Sequence, residues 1–537
     1  MNATRPVNRL PAEVLAYIFS FVPRRYAVFT ETEGRHWPFD IPDIDVFTEL
    51  ATVCKHWRSL FLDTPSLWSV VSEGVSIGRQ NKSLWHLSRC PRGPLTVNIS
   101  GNVTARMWRL LRTEGHRIQQ LHLGRISQAT DRERMLSLLL SLPADVLQHC
   151  KIHLVQQPSN RQPLVPLFSG KAENLQSLYL DQVWFLPSTI MPQLTYLTIF
   201  RYYAFDDPLW NVGDLLRFLS GSPELEELHL SHVWGRLPPD AVLRLSTNSS
   251  RVILRRLRVL TIAARARFTA SIALSLLPNI LLPQTCRIQL GEVKIDELDA
   301  ISPALVSLGQ PFERARLTLE RPFGPYFRWS APGEEWAWSL ILASSQTDCG
   351  GVWLRLESVG MIQVHTLLGP SFRRLPFLEN VEEFWFRSNI CSVALLRRIC
   401  LPPKVHSLVL TILNRGVVTK YFIPIILASA QLDTLCVCVV SAEQVSAVKE
   451  ALTNTGPKPM PQLQPIRRVA VGYGEASRWY HKKGPSLRSR GAGYEVSWIG
   501  QIPKQNGKET EMDRLFRVVP ELLNNPATVL GSWPEWS

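Results

Sequence analysis

The stretch at positions 74–78, Gly-Val-Ser-Ile-Gly, has the spacing of a nucleophile elbow, in which a serine attacks an acyl group. Such an elbow needs a sharp turn between an inner strand of a large sheet and a helix, so that the hydroxyl is exposed beside an oxyanion hole. Here the sequence before Gly74 predicts only small helices. The context therefore favours a simple turn over a hydrolase site.

No other motif in the sequence predicts catalysis or metal binding. The sequence has no HExxH, no P-loop, no GxGxxG after a strand, no EF-hand loop and no Cys/His cluster at zinc spacing. Cys436 and Cys438 share one face of a predicted strand, where they are expected to pack as small apolar residues. The histidines occur at the same position of successive predicted strands and not beside a nucleophile. We therefore expect no enzyme, no metal and no cofactor, although a site assembled from distant residues stays open.

The composition is that of a folded protein in a reducing compartment. The chain has 537 residues, 45% of them hydrophobic and 19% charged, so it exceeds one ordinary core. No apolar run precedes Leu10, and the longest later apolar stretch, 422–440, is interrupted by Gln431 and Asp433. Nine cysteines without a CxxC pair suit buried thiols. These features predict no membrane span and a cytoplasmic location, a nuclear location or both.

The chain is basic, with 59 Lys and Arg against 45 Asp and Glu and a formal net charge of +14. Such a balance can indicate a nucleic-acid surface, an acidic partner or only a solvated surface. The arginines within 106–134 and 251–267 are spread through segments that also carry core leucines. This distribution favours exposed faces of repeated units over a nucleic-acid surface.

Two N-terminal segments, 10–22 and 47–68, have apolar residues at helical spacing. Pro11 suits the first turn of a helix that Pro23 stops, and Thr64-Pro65 predicts the cap and first turn of a further short segment. Short helices of this kind must pack on one another to hide their apolar faces. The apolar positions are Val14, Leu15, Ile18, Phe19 and Val22 in the first segment, and Leu50, Val53, Cys54, Trp57, Leu60 and Phe61 in the second.

The two segments read LPxEVLxxIFSFV and LxxVCKHWRSLxxDTPSLW. Together they resemble the F-box, a short helical domain that docks on the Skp-family adaptor of SCF ubiquitin ligases and, through it, on cullin. The resemblance covers the N-terminal range 1–75, in which the spacer 24–45 is longer than the usual loop. The adaptor-binding residues that it implies are Leu10, Pro11, Val14 and Ile18. The residues that it implies for the core of the module are Leu15, Phe19, Leu50, Val53, Cys54, Trp57, Leu67 and Trp68.

From Leu95 to Val437, short apolar alternations of the form LxL return along the chain. Alternation places the leucines on one face of a short strand, and leucines at helical spacing between strands, as in 212–219, predict a covering layer. The pattern resembles the degenerate leucine-rich repeats that follow F-boxes in many fungal and plant proteins. We expect an α/β fold in which a small all-α module precedes an irregular solenoid with a parallel sheet. Several separate α/β domains are the alternative.

Several predicted strands carry an aromatic or charged residue at an outward position. On a solenoid, consecutive outward positions line the surface that holds partners. Any outward strand residue must be polar or amphipathic, however, so the pattern also fits a merely solvated face. The candidates for a substrate surface are His122, His153, Tyr179, His229, Arg355, Trp385 and His406.

We expect three regions: an F-box-like module at 1–75, repeats at 76–455, and a capping strand, basic loop and tail at 456–537. The functional hypothesis is a subunit that recruits an unknown protein substrate to an SCF-type ligase and catalyses nothing itself. The alternative is a non-catalytic scaffold whose F-box-like module does not enter a ligase. In that case the basic repeat region would bind an acidic protein or nucleic acid.

Overall fold

A computed structural model describes the chain in segments separated by gaps. The chain divides into two compact units, Met1–Leu257 and Arg258–Ser537, and the division falls inside the range 76–455. The sequence predictions for 74–78, for the spacer 24–43 and for the basic loop and tail after 473 lie outside the described residues. The described residues are 9–20, 44–73, 87–99, 104–124, 129–154, 163–201, 210–231, 251–263, 269–293, 297–309, 312–320, 336–343, 351–359, 372, 374–388, 401–412, 432–439 and 468–473.

The first unit opens with three short helices: α1 at Ala12–Ser20, α2 at Ile44–Val53 and α3 at Lys55–Asp63. Cys54 separates α2 from α3 because its backbone is extended and its Sγ accepts the Trp57 N–H at 3.4 Å. Pro65–Trp68 then forms a 3-10 turn, begun by a proline that needs no N–H donor there. The predicted apolar stripe of 47–68 is thus divided between two helices and a turn.

Seven strands of the first unit form a parallel sheet in the order β1-β2-β3-β4-β6-β8-β9. β5 and β7 are short and pair with each other. The strands of this unit are β1 Val70–Glu73, β2 Leu95–Ile99, β3 Ile118–Leu123, β4 His149–His153, β5 Leu164–Val165, β6 Ser177–Asp181, β7 Leu186–Pro187, β8 Tyr196–Phe200, β9 Glu227–Ser231 and β10 Val252–Ile253.

Apolar residues at alternate strand positions align across this sheet and form the core of the first unit. One aligned row of fully buried residues runs from β2 to β9. Three helices, α4 at Ala105–Glu114, α5 at Ala129–Ser141 and α6 at Val212–Ser220, lie between strands in the chain and add further buried leucines. The residues of the row are Val97, Leu121, Cys150, Leu178, Leu197 and Leu228.

The helix α6 shows why these connecting segments fold as the leucine spacing predicts. Asn211 caps it through the Asp214 N–H, and the Asp214 carboxylate accepts the Asn211 N–H, which completes a capping box. Leu215 and Leu219, four residues apart on one face, are fully buried.

The second unit has a mostly parallel sheet in the order β11-β13-β16-β15-β14-β17-β18-β19-β20. β15 runs antiparallel to both of its neighbours, and β16 rather than β14 pairs with β13. This insertion departs from the expected stacking of parallel strands. The elements are β11 Val259–Ala263, α7 Thr269–Leu276, β12 Ile280–Leu281, β13 Arg287–Val293, α8 Leu298–Val306, β14 Arg314–Glu320, β15 Trp336–Ala343, β16 Gly351–Val359, β17 Glu383–Ser388, β18 Ser407–Ile412, β19 Thr434–Val439 and β20 Arg468–Tyr473, with 3-10 turns elsewhere in the chain at Gly115–Arg117, Phe168–Gly170, Leu277–Asn279 and Pro376–Leu378.

Among the described helices, none combines the length and the apolar content that a membrane crossing requires.

Candidate functional site

The helix α1 has two apolar faces with different surroundings. On one, Leu15 and Phe19 are almost fully buried. The Phe19 ring stacks on Phe61 with centroids 4.6 Å apart and meets the edge of Trp57 at 4.8 Å. This face holds α1 against α3.

The other face of α1 is exposed and still apolar. Because residues four apart fall on one side of a helix, Val14 and Ile18 lie together there, with Tyr17 next to them and Leu10 just before the helix. Pro11, also exposed, places its carbonyl 3.1 Å from the Leu15 N–H and so begins the first turn. The exposed fractions are 37% for Leu10, 41% for Val14, 66% for Tyr17 and 45% for Ile18. We call these four residues the α1 outer face.

All four residues that the resemblance implied for adaptor binding are therefore exposed. Tyr17 was not among them, although its spacing of three residues from Val14 could have indicated it. Over the described residues 10–20, the stripe predicted as one face is in fact two adjacent rows, one buried and one exposed. Val22, the last residue of that stripe, lies outside the described residues.

Most residues predicted for the core of the module are buried or half-buried. Leu67 and Trp68 are buried, and the Trp68 indole N–H donates to the Phe61 carbonyl at 2.5 Å. Leu50, Cys54 and Trp57 are half-buried.

Val53 does not belong to this core, because it is 56% exposed at the last position of α2. The chain leaves the helix at Cys54, so the helical spacing that put Val53 in the stripe ends there. Leu60 and Phe61, which were part of the predicted stripe but not of the predicted core set, are buried.

The outward positions of the first unit's sheet also form an aligned row, from β2 to β9. His122 was expected on a binding surface, but it is only 1% exposed. It lies between β2 and β4, where Lys151 and His149 are close enough to affect its charge. Tyr179 is 8% exposed, with the Lys151 ammonium 4.7 Å from its ring centroid. The row contains Asn98, His122, Lys151, Tyr179, Thr198 and His229.

Burial keeps two histidines of this sheet neutral. It lowers the pKa of His122 to about 3, with smaller contributions from the charges of Lys151 and His149, and it lowers the pKa of His149 to about 4. Burial also lowers the pKa of Lys151, against the opposing effect of Asp181. His122 and Tyr179 are therefore packing residues of the sheet rather than open binding positions.

The remaining outward candidates of the first unit are half-buried and paired. His229 lies 3.2 Å from the Glu227 carboxylate, and its ring centroid is 5.4 Å from that of Tyr196. His153 is the last residue of β4, and its Nδ1 lies 2.6 Å from the Asp181 carboxylate.

The candidates of the second unit differ in their surroundings. Trp385 is half-buried on β17, and its indole N–H donates to the Glu383 carboxylate. His406 is exposed and lies just before β18. The outward strand position in register with Trp385, which was expected for His406, is occupied by Val409. Arg355 lies on β16, but its side chain is outside the described residues.

The described residues contain no group of three or more His, Cys, Asp and Glu side chains that could hold a metal ion. Burial raises the pKa of the Cys150 thiol and raises that of Cys286 to about 12, so neither is a thiolate at neutral pH. Among the described side chains, exposed large apolar residues cluster on the α1 outer face.

Comparison with known proteins bears on the N-terminal region. Residues 7–73 match the F-box-like family. No curated protein matches the chain. The matched range contains α1, α2, α3, the turn Pro65–Trp68 and β1. The N-terminal region of this chain is an F-box-like domain, which suggests a role in protein–protein interaction.

Proposed function

We propose that this protein recruits a protein substrate to an SCF-type cullin-RING ubiquitin ligase. In this proposal the F-box-like domain docks on a Skp-family adaptor, the adaptor connects it to cullin, and the sheets that follow hold the substrate. The chain itself catalyses no step.

The observation that carries the proposal is the division of α1 into two apolar faces. Leu15 and Phe19 pack in the core of the domain, whereas Leu10, Val14, Tyr17 and Ile18 remain 37–66% exposed. A cluster of exposed apolar side chains on one helix is typical of a protein-binding surface. F-box domains generally bind Skp-type adaptors, which is the partner that this surface fits best.

We further propose that the strands following the domain are degenerate leucine-rich repeats. The support is the aligned row of buried residues from Val97 to Leu228 and the parallel pairing of consecutive strands. The antiparallel β15 makes the series irregular. Such a series presents an extended row of outward positions, which suits a partner-binding domain.

Co-purification of the full chain with a Skp-family adaptor tests the docking step. Ile18→Lys places a charge on the α1 outer face and should lower the recovered adaptor roughly tenfold or more, since a charge without a partner must be desolvated on binding. Ile190→Lys is the matched control, because Ile190 is 68% exposed in the same unit but outside the F-box-like domain. Recovery of the adaptor by Ile18→Lys at the level of the unchanged chain would contradict the proposal.

Recovery of cullin in the same experiment separates a ligase subunit from a scaffold. A ligase subunit recovers cullin together with the adaptor, and both are lost in Ile18→Lys. If the adaptor is recovered without cullin, the chain binds the adaptor outside a ligase.

A further inference from the structure

The outward face of the second unit's sheet carries apolar side chains where a solvated strand would carry polar ones. Trp353 on β16 is in register with Ile341 on β15, and Trp385 on β17 is in register with Val409 on β18. The backbone register places Arg316 of β14 between Ile341 and Trp385. We call Trp353, Ile341 and Trp385 the tryptophan row. Val409, next to Trp385, is only 2% exposed and marks where the row meets the buried part of the sheet.

The tryptophan row is not part of the core of this unit. The residues on either side of it along each strand, such as Leu340, Leu342, Leu354 and Phe384, are fully buried on the opposite face. Trp353, Ile341 and Trp385 are only half-buried. Within the described part of the chain, the indole N–H of Trp353 lies buried without a hydrogen-bond partner. A buried donor of this kind costs free energy unless a partner supplies an acceptor.

The orientation of the second tryptophan is fixed. The Trp385 indole donates to Glu383, and the same carboxylate lies 3.8 Å from the Arg314 guanidinium. Arg314 therefore forms one edge of the row. Next to the tryptophan row, Arg287 of β13 is in register with Gly351, Gly351 with Ala343, and Ala343 with Arg314. Two small residues therefore separate the two arginines.

The spacing of these groups matches an extended peptide. Trp353 and Trp385 lie three strand spacings apart in the order β16-β15-β14-β17, which is roughly 14 Å. Residues i and i+4 of an extended chain are separated by about 13.5 Å. A peptide that crosses the strands can thus place one apolar side chain over each tryptophan. Acidic side chains at positions i−2 and i+2 face the sheet together with the apolar ones and come close to Arg287 and Arg314.

The charges favour a peptide over single-stranded nucleic acid. Tryptophans and arginines can also stack bases and hold phosphates. A nucleic acid carries a charge at every nucleotide, however, and would place phosphate beside Glu383. A peptide can set a neutral residue there.

We infer that the tryptophan row binds an extended acidic peptide segment of a partner protein, with apolar side chains at positions i and i+4. The inference rests on the proposed function in so far as this segment belongs to the recruited substrate. Peptide binding itself does not require the adaptor.

The experiment uses the full chain and an N-acetylated, fluorescein-labelled peptide of sequence ESISESI, whose binding is measured by fluorescence anisotropy. Trp353→Ala and Trp385→Ala should each weaken binding roughly tenfold or more, as buried aromatic anchors do. The peptide ESSSESS, which lacks the apolar anchors, should bind at least as weakly as ESISESI does to these variants. Ile190→Ala, in the other unit, should leave the affinity unchanged.

A charge-swap arm covers the case in which a tryptophan variant fails to fold. Arg314→Glu should weaken binding of ESISESI and strengthen binding of KSISKSI, whereas Arg256→Glu, which changes an exposed arginine of the first unit paired with Glu224, should change neither. A gain of binding cannot arise from unfolding.

Three results would overturn the inference: no measurable binding of ESISESI, equal binding by the Trp353→Ala variant, or tighter binding of a labelled oligothymidylate that Trp385→Ala abolishes. The adaptor assay separates the two proposals. If the peptide does not bind but the adaptor is still recovered, only the inference about the tryptophan row is overturned. If the peptide binds but the adaptor is not recovered, only the proposed docking on the adaptor is overturned.

Discussion

The ring of Phe19 stacks on that of Phe61, with centroids 4.6 Å apart and an interplanar angle of 18°. The contact joins α1, which carries the α1 outer face, to α3. Phe61 in turn meets Trp68 edge-on at 6.4 Å, which ties both helices to the turn before β1. The exposed face is therefore held in place by a small aromatic core.

Phe61→Ala should destabilise this core by about 3–5 kcal/mol, because it leaves a cavity among three aromatic rings. Hydrogen exchange of the α1 amides is the suitable measurement, since it reports the local opening of this region rather than of the whole chain. Faster exchange should be accompanied by loss of adaptor recovery. Phe61→Leu, which keeps much of the volume, should cost less, and unchanged α1 exchange in Phe61→Ala would show that the stack is not what holds the helix.

Arg117 should be highly sensitive to substitution. It is buried, its Nε donates to the Gly93 carbonyl at 2.8 Å, and its Nη1 donates to the Pro91 carbonyl at 2.6 Å. Another N–H reaches the Cys90 carbonyl, and Glu114 lies 3.1 Å away. The guanidinium thus fixes the turn before β2 to the start of β3.

Arg117→Ala removes these donors and should cost roughly 2–4 kcal/mol, measured as the shift in urea midpoint of the first unit's transition. Arg117→Lys should recover only part of the loss because an ammonium lacks the planar fork. The comparison is Arg112→Ala, an exposed change on α4 expected to stay within about 0.5 kcal/mol. Equal effects at positions 112 and 117 would contradict the assigned role.

Stability should fall as the pH is lowered from 6.5 towards 4. The folded pKa values of His122, about 3, and His149, about 4, lie below the ordinary value of 6.5, so in this window the unfolded chain binds protons that the folded chain does not. Each such proton makes the free energy of unfolding fall by about 1.4 kcal/mol per pH unit. Above pH 6.5 the contribution of both groups is complete.

Urea unfolding at pH 7.5 and 5.5 measures this dependence. His122→Gln should reduce the difference between the two pH values, and His149→Gln should reduce it as well. An identical pH dependence in the unchanged chain and in His122→Gln would rule out His122 as its source.

Asn211→Ala should cost about 1 kcal/mol, since it removes the side-chain oxygen that caps α6 through the Asp214 N–H at 3.0 Å. Asn211→Asp keeps an acceptor and should cost less. The thermal midpoint of the first unit is the measurement, with Ser220→Ala at the other end of α6 as the comparison. A loss at Ser220 as large as that at Asn211 would contradict the capping argument.

How far the sequence predicts this structure depends on the range of the interactions involved. The helix α1 and the alternation in strands such as Tyr196–Phe200 follow from local periodicity, which needs no knowledge of the fold. The division of α1 into a buried and an exposed apolar row does not, because it depends on Phe61 and Trp57 of α3. The burial of His122 depends on side chains of neighbouring strands, and the role of Arg117 depends on carbonyls more than twenty residues earlier in the chain. The exposure of Val53 follows from a helix end that the spacing did not reveal.

The crossed order β13-β16-β15-β14-β17 has a consequence for biosynthesis. A ribosome releases β14 before β15 and β17, the two strands with which it pairs, and one edge of β13 stays uncovered until Gly351 has been added. An uncovered strand edge is a template for pairing with other chains. Synthesis of residues 294–350 is therefore the interval in which the nascent second unit is exposed to misassembly, and in which a chaperone would shield it.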